Sequence, residues 1–151
     1  MVLNELLTRQ NVFTKILLTD GTKELPKELK VKVMRIRIAY NKIKKNFDSD
    51  VKEFSEELMT DEFRELSNKV NRTSEEDIRF SELSNSANAE YKEFIMQKGN
   101  EEVKELDDVL TLDEYYDILE VNAGNDVTIN GNKIPAADFM EIVYDLFVKE
   151  D

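Results

Sequence analysis

Apolar residues recur at helical spacing along most of the chain, and the breaks in that pattern divide it into elements. Between Val2 and Leu18, the side chains of Leu3, Leu6, Leu7, Phe13, Ile16 and Leu17 fall on one helical side, and Thr19-Asp20-Gly21 supplies a glycine stop. Pro26 then stands where a first-turn proline belongs. From there Leu29, Val33, Ile36, Tyr40, Ile43, Phe47, Val51, Phe54 and Leu58 step by three or four, a near-heptad seam. The seam predicts a helix from Pro26 to Met59, roughly 50 Å long at about 1.5 Å per residue. Asp48-Ser49-Asp50 is the place where it could break in two.

The stretch Thr60 to Thr73 is polar around Phe63, Leu66 and Val70, which predicts one or two helical turns and a loop at Asn71-Arg72. Thr73 or Ser74 followed by Glu75, Glu76 and Asp77 is a helix start: an oxygen caps the first amides and acids face the positive end of the dipole. That helix should run to about Lys98 and stop at Gly99-Asn100. Its inner face, Phe80, Leu83, Ala87, Tyr91 and Phe94, suits antiparallel packing on the long helix.

The last third changes character. Val103 to Thr111 has no clear period and is open to a short helix or an extended piece, whereas Thr111-Leu112-Asp113-Glu114 resembles a cap leading into a helix over Tyr115 to Val121. Asn130-Gly131 sits between two short β-prone arms, Val127 to Ile129 and Asn132 to Ile134. That is the signature of a hairpin, because a type I′ turn needs positive φ at both central residues. Pro135 starts a final helix with Phe139, Ile142, Val143, Leu146 and Phe147 on one face. The expectation is a mainly α fold, an antiparallel helical bundle built on one long helix, with a small C-terminal β-hairpin and a final helix. It forms a single domain over 1–151, with 1–100 as the helical bundle and 101–151 as a mixed subregion packed on it.

Composition narrows the chemistry. With 40% hydrophobic and 36% charged residues, the chain is too apolar for disorder and too polar for a membrane protein. No apolar run reaches the roughly 18 to 20 residues that cross a bilayer, and Met1-Val2-Leu3-Asn4-Glu5 lacks the basic and apolar regions of a signal peptide, so a cytoplasmic setting is expected. There is no cysteine and no histidine. Thiolate chemistry, zinc-thiolate sites and the common Ser-His and Cys-His dyads are thereby excluded. Carboxylates, lysine amines and hard metals on oxygen ligands remain. A calcium loop starting at Asp126 fails, because its twelfth position is Ala137 where a bidentate glutamate is required. The acid pairs Glu101/Glu102 and Asp107/Asp108, and the group Asp113/Glu114/Asp117, are explained by helix starts and solvated faces. No glycine lies in a phosphate-cradling motif. No cofactor, no metal and no catalytic residue are expected.

The net charge of −12 argues against nucleic-acid binding and is unevenly spread. Lys23 to Lys45 hold nine basic residues against two acidic ones, and Asp48 to Asp151 hold 29 acidic against ten basic. Such polarity favours head-to-tail self-association, or neutralisation inside the fold. On the long helix, Val31, Met34 and Ile38 fall nearly opposite the seam, surrounded by Lys27, Lys30, Arg35, Lys42 and Lys45. Two readings stand: the stripe is sandwiched under the final helix, or it is an apolar centre with a basic rim that meets a partner or sister subunit.

The order of elements resembles a family of small acidic helical proteins encoded in the tail and structural gene regions of bacteriophages. The resemblance lies in the leucine-rich first helix, the segment Leu25-Pro26-Lys27-Glu28-Leu29-Lys30-Val31-Lys32, the charged helical pair, Glu102-Val103-Lys104-Glu105-Leu106, and Ile134-Pro135-Ala136-Ala137-Asp138-Phe139. It implies a non-enzymatic structural or assembly protein, a tail or connector component or an assembly chaperone, in the host cytoplasm or the virion. Its partners would be other virion proteins or itself. The runner-up is an acidic DNA mimic that blocks a host nuclease or defence enzyme.

Overall fold

A computed structural model describes residues 1–16, 24–122 and 126–149. The elements are α1 (Leu3–Ile16), α2 (Lys27–Leu58), α3 (Asp61–Asn68), α4 (Ser74–Gly99), α5 (Leu112–Asn122), β1 (Val127–Ile129), β2 (Asn132–Ile134) and α6 (Ala136–Phe147). Leu17, the stop at Thr19-Asp20-Gly21, Lys23 and Gly124 lie outside the described residues. The fold is mainly helical, with the expected long helix, small hairpin and final helix. α2 passes through Asp48-Ser49-Asp50 unbroken, and its 32 residues span about 48 Å. Pro26 and Pro135 stand just ahead of α2 and α6, each offering its carbonyl to the amide four residues on, Lys30 at 2.9 Å and Phe139 at 3.0 Å.

Between α4 and α5 the chain is an extended strap, which settles the alternative left open for Val103 to Thr111. At one end it pairs with the start of the chain, with Leu3 N donating to Glu101 O (2.9 Å) and Val103 N to Met1 O (2.9 Å). At the other end Leu110 N donates to Phe147 O (2.8 Å). The hairpin has the turn that Asn-Gly requires, with φ of 50° at Asn130 and 79° at Gly131, and pairs Val127 with Ile134. Asp126, the first position of the rejected calcium loop, accepts a hydrogen bond from Ala136 N (3.3 Å) at the start of α6.

The core is drawn from both sides of residue 100. Phe13 of α1, Tyr40 of α2 and Phe139 and Phe147 of α6 are its largest fully buried side chains. Phe13 meets the edge of Phe147 at 5.1 Å and Tyr40 at 5.7 Å. Along α2, burial stops at Tyr40, and from residue 41 to 98 no side chain is buried. The second half of α2, with α3 and α4, therefore forms an arm on a head. In the arm, Phe54 stacks flat on Phe94 (4.1 Å between centroids), Lys98 pairs with Asp50 (2.9 Å), and Phe63 meets the edge of Phe80. Arg79 forks onto both oxygens of Glu62 at 2.6 and 3.1 Å, holding α3 on α4. Of the expected inner face of α4, Phe80, Leu83, Ala87 and Phe94 are half-buried, and Tyr91 is exposed.

α4 starts with a reciprocal cap. Thr73 Oγ accepts from Glu76 N (3.2 Å) and the Glu76 carboxylate accepts from Thr73 N (3.0 Å). Lys69, bonded to Glu76, and the Thr73 amide hold that carboxyl down at about 2. Thr73→Ala should cost about 1 kcal/mol, as lost caps do. Because the arm has no buried core, the loss should show in the hydrogen exchange of α4's first two turns, with head amides unchanged. Equal acceleration in both parts would contradict the division into head and arm.

Candidate binding face

Helical periodicity sends α2's buried residues in the head, Leu29, Val33, Ile36 and Tyr40, to one side, and this forces Val31, Met34 and Ile38 to the other. The structure leaves those three open, at 61%, 40% and 64% exposure. The sandwich alternative is thereby corrected: α6 packs on α1 and α5 instead, because Phe139, Val143 and Phe147 are taken up in the core with Phe13. Lys27, Arg35, Lys42 and Lys45 are exposed around the stripe, and Lys30 is half-buried beside it. Among the described residues, Lys27, Arg35, Lys42 and Lys45 make no ion pair, so the basic run is not neutralised on its outer side. Lys32, on the flank of α2, ties the run to the head's acids, 2.7 Å from Glu114 at the start of α5. A surface built from one helix is a ridge and does not enclose a small molecule.

A second face went unread in the sequence. α5 exposes Leu112 (43%) and Tyr116 (53%) one turn apart, with Asp113 and Glu120 on the same side. Beside it, α6 exposes Asp138, Glu141 and Asp145. α5 and α6 are joined by Tyr115, whose hydroxyl donates to Met140 O (2.9 Å) and whose ring meets Tyr144 at 5.3 Å. Burial first, then the neighbouring Tyr116 and the negative charges of Asp145 and Glu141, push the Tyr115 hydroxyl above its ordinary pKa. The two helices carry seven acids and no base. The signal was available in that one-signed composition, but acids on a solvated face, in a DNA mimic or in a protein contact look alike along the chain.

No family model, curated protein or solved structure matches the chain.

The other polar cluster lies inside the head, where residues far apart in the chain come together. Asp108, grouped with Asp107 as a solvated acid, is instead buried. Arg9 donates to its Oδ2 through Nε (2.9 Å) and pairs with it through a terminal nitrogen (2.8 Å), and the Tyr40 hydroxyl donates to the same oxygen. Burial, then the bond to Asp108, pushes the Tyr40 hydroxyl well above its usual range, so it stays protonated. Burial works against the Arg9 charge, but its bonds to Tyr40 and Asp108 more than offset that and raise its pKa. With Arg9 lying over the Phe147 ring at 4.7 Å, the cluster is a latch tying α1, α2 and the strap. No three acids among the described residues are placed to hold a metal ion, and no described helix is long and apolar enough to cross a membrane.

Proposed function

We propose that this is a non-enzymatic protein that works by protein–protein binding, through the outer face of α2 in the head. The observation that carries the reading is the line Val31, Met34 and Ile38, open to solvent beside the exposed Lys27, Arg35, Lys42 and Lys45, four cations that make no ion pair among the described residues. Single exposed apolar side chains are ordinary, whereas three in register on one helix make a patch. At these exposures, covering them is worth about 1 kcal/mol each. That is less in total than the roughly 4 kcal/mol of a millimolar complex. The stripe cannot hold a partner alone, and the rim must be engaged too. The occupant that fits is a protein surface with its own apolar centre and acidic surround. The resemblance to phage tail-region proteins sets this binding in virion assembly, as a tail or connector component or an assembly chaperone. A DNA mimic would need its acids in open rows, and Leu112 and Tyr116 among the α5 and α6 acids suit a protein contact better.

The test places a photo-crosslinking residue at Ile38 and, separately, at Val70 on the arm, which is 93% exposed. In producing cells, position 38 should give a discrete protein adduct and position 70 should not. Adducts of equal yield at both, or none at 38, would reject the reading.

A further inference from the structure

The head carries two faces of opposite sign, each with exposed apolar side chains, and each with charged residues that make no ion pair among the described residues. Residues 27 to 45 of α2 hold eight bases and one acid, and α5 and α6 hold seven acids and no base. Among the described residues, no ion pair involves Arg35 or Lys42 on the first face, or Glu141 or Asp145 on the second. Both faces are solvent-exposed, so neither covers the other within one molecule. They adjoin along the Lys32–Glu114 ion pair, where the flank of α2 touches the start of α5.

We infer that the occupant of the α2 face is a second copy of this chain, whose α5/α6 face supplies the acids together with Leu112 and Tyr116. This rests on the reading of the α2 face as a docking surface. Contiguous faces of opposite sign are self-complementary under a two-fold axis: the basic half of one copy lies on the acidic half of the other, and the reverse contact forms at the same time. Each stripe then meets the exposed Leu112 and Tyr116 of the other copy, and Arg35 and Lys42, which make no ion pair among the described residues, gain acidic partners. The overall charge of −12 does not forbid this, because the Debye length of about 8 Å at physiological salt screens the distant arms while facing side chains remain within reach.

Sedimentation velocity on the purified full chain tests it. Wild type should sediment at twice the 17.6 kDa chain mass. Arg35→Glu/Lys42→Glu should sediment as monomer, and so should Glu141→Lys/Asp145→Lys. An equimolar mixture of the two variants should recover the dimer, since each reversed face then meets its opposite. All four residues are exposed, and circular dichroism reports whether each variant keeps its helix; Tyr116→Glu probes the acidic side independently and should also give monomer. Wild type that remains a monomer at every concentration, or a dimer that survives either reversal, overturns the inference. If wild type is monomeric while Ile38 still crosslinks to a different protein, self-pairing fails and the docking reading stands. If Ile38 crosslinks to nothing, both fail.

Discussion

Asp108→Ala should lower the stability of the head by about 3 kcal/mol, the lower end of the range for breaking a buried charge pair by removing one partner. The lower end applies because the Arg9 side chain is 17% exposed, so water partly replaces the lost carboxylate. What remains is a half-buried guanidinium and a Tyr40 hydroxyl without its acceptor, and the strap loses its tie to α1 and α2. For a chain of this size the thermal midpoint should fall by roughly 6 to 12 °C. Tyr40→Phe removes the bond to Asp108 and the longer one accepted from Arg9 Nε (3.3 Å) but leaves the ion pair, so about 1 to 2 kcal/mol is expected. A melt of Asp108→Ala within a degree of wild type would mean that the latch contributes nothing to stability.

Phe13→Ala should cost about 3 to 5 kcal/mol, a large part of the roughly 5 to 15 that holds a domain together. Phe13 is fully buried and touches Tyr40 and Phe147, side chains held in turn by Asp108 and Arg9. The hole cannot collapse without moving that network. Phe54→Ala in the arm is the internal comparison. Phe54 is half-buried, stacked on Phe94, and its truncation opens onto solvent rather than into a cavity, so about 1 to 2 kcal/mol is expected. Equal losses from urea unfolding of the two variants would show that the arm has a core of its own.

The elements were legible because each rests on a local signal. The three-four steps of α2, the Thr73–Glu76 cap and the Asn130-Gly131 turn need no distant partner to be read. Burial was not legible in the same way. The seam steps by three or four from Leu29 to Leu58, yet it is sealed only to Tyr40, because α1 and the last third of the chain cover that half, whereas beyond Ile43 it is flanked mainly by α4. Asp107 and Asp108 look alike as neighbours, but an extended strap turns successive side chains to opposite sides, so one is exposed and the other enters the core. The stripe of Val31, Met34 and Ile38 was visible as a stripe. Whether α6 covered it depended on where α6 spends its apolar face, which is a tertiary fact.

The unbroken course of α2 also governs how movement passes through the molecule. About 18 residues extend beyond Tyr40 without a hinge, so the arm is cantilevered from the head, with a lever of roughly 27 Å. A tilt of about 10° at the head would carry Leu58 some 5 Å sideways, on the scale of one helical turn. A second strut limits that sweep: α4 returns to the head at Gly99, which lies so close to Asn4 of α1 that a Cβ there would meet the Asn4 side chain. Pressure on the outer face of the head would therefore be felt at the far end of the arm as displacement, geared by the length of a single helix.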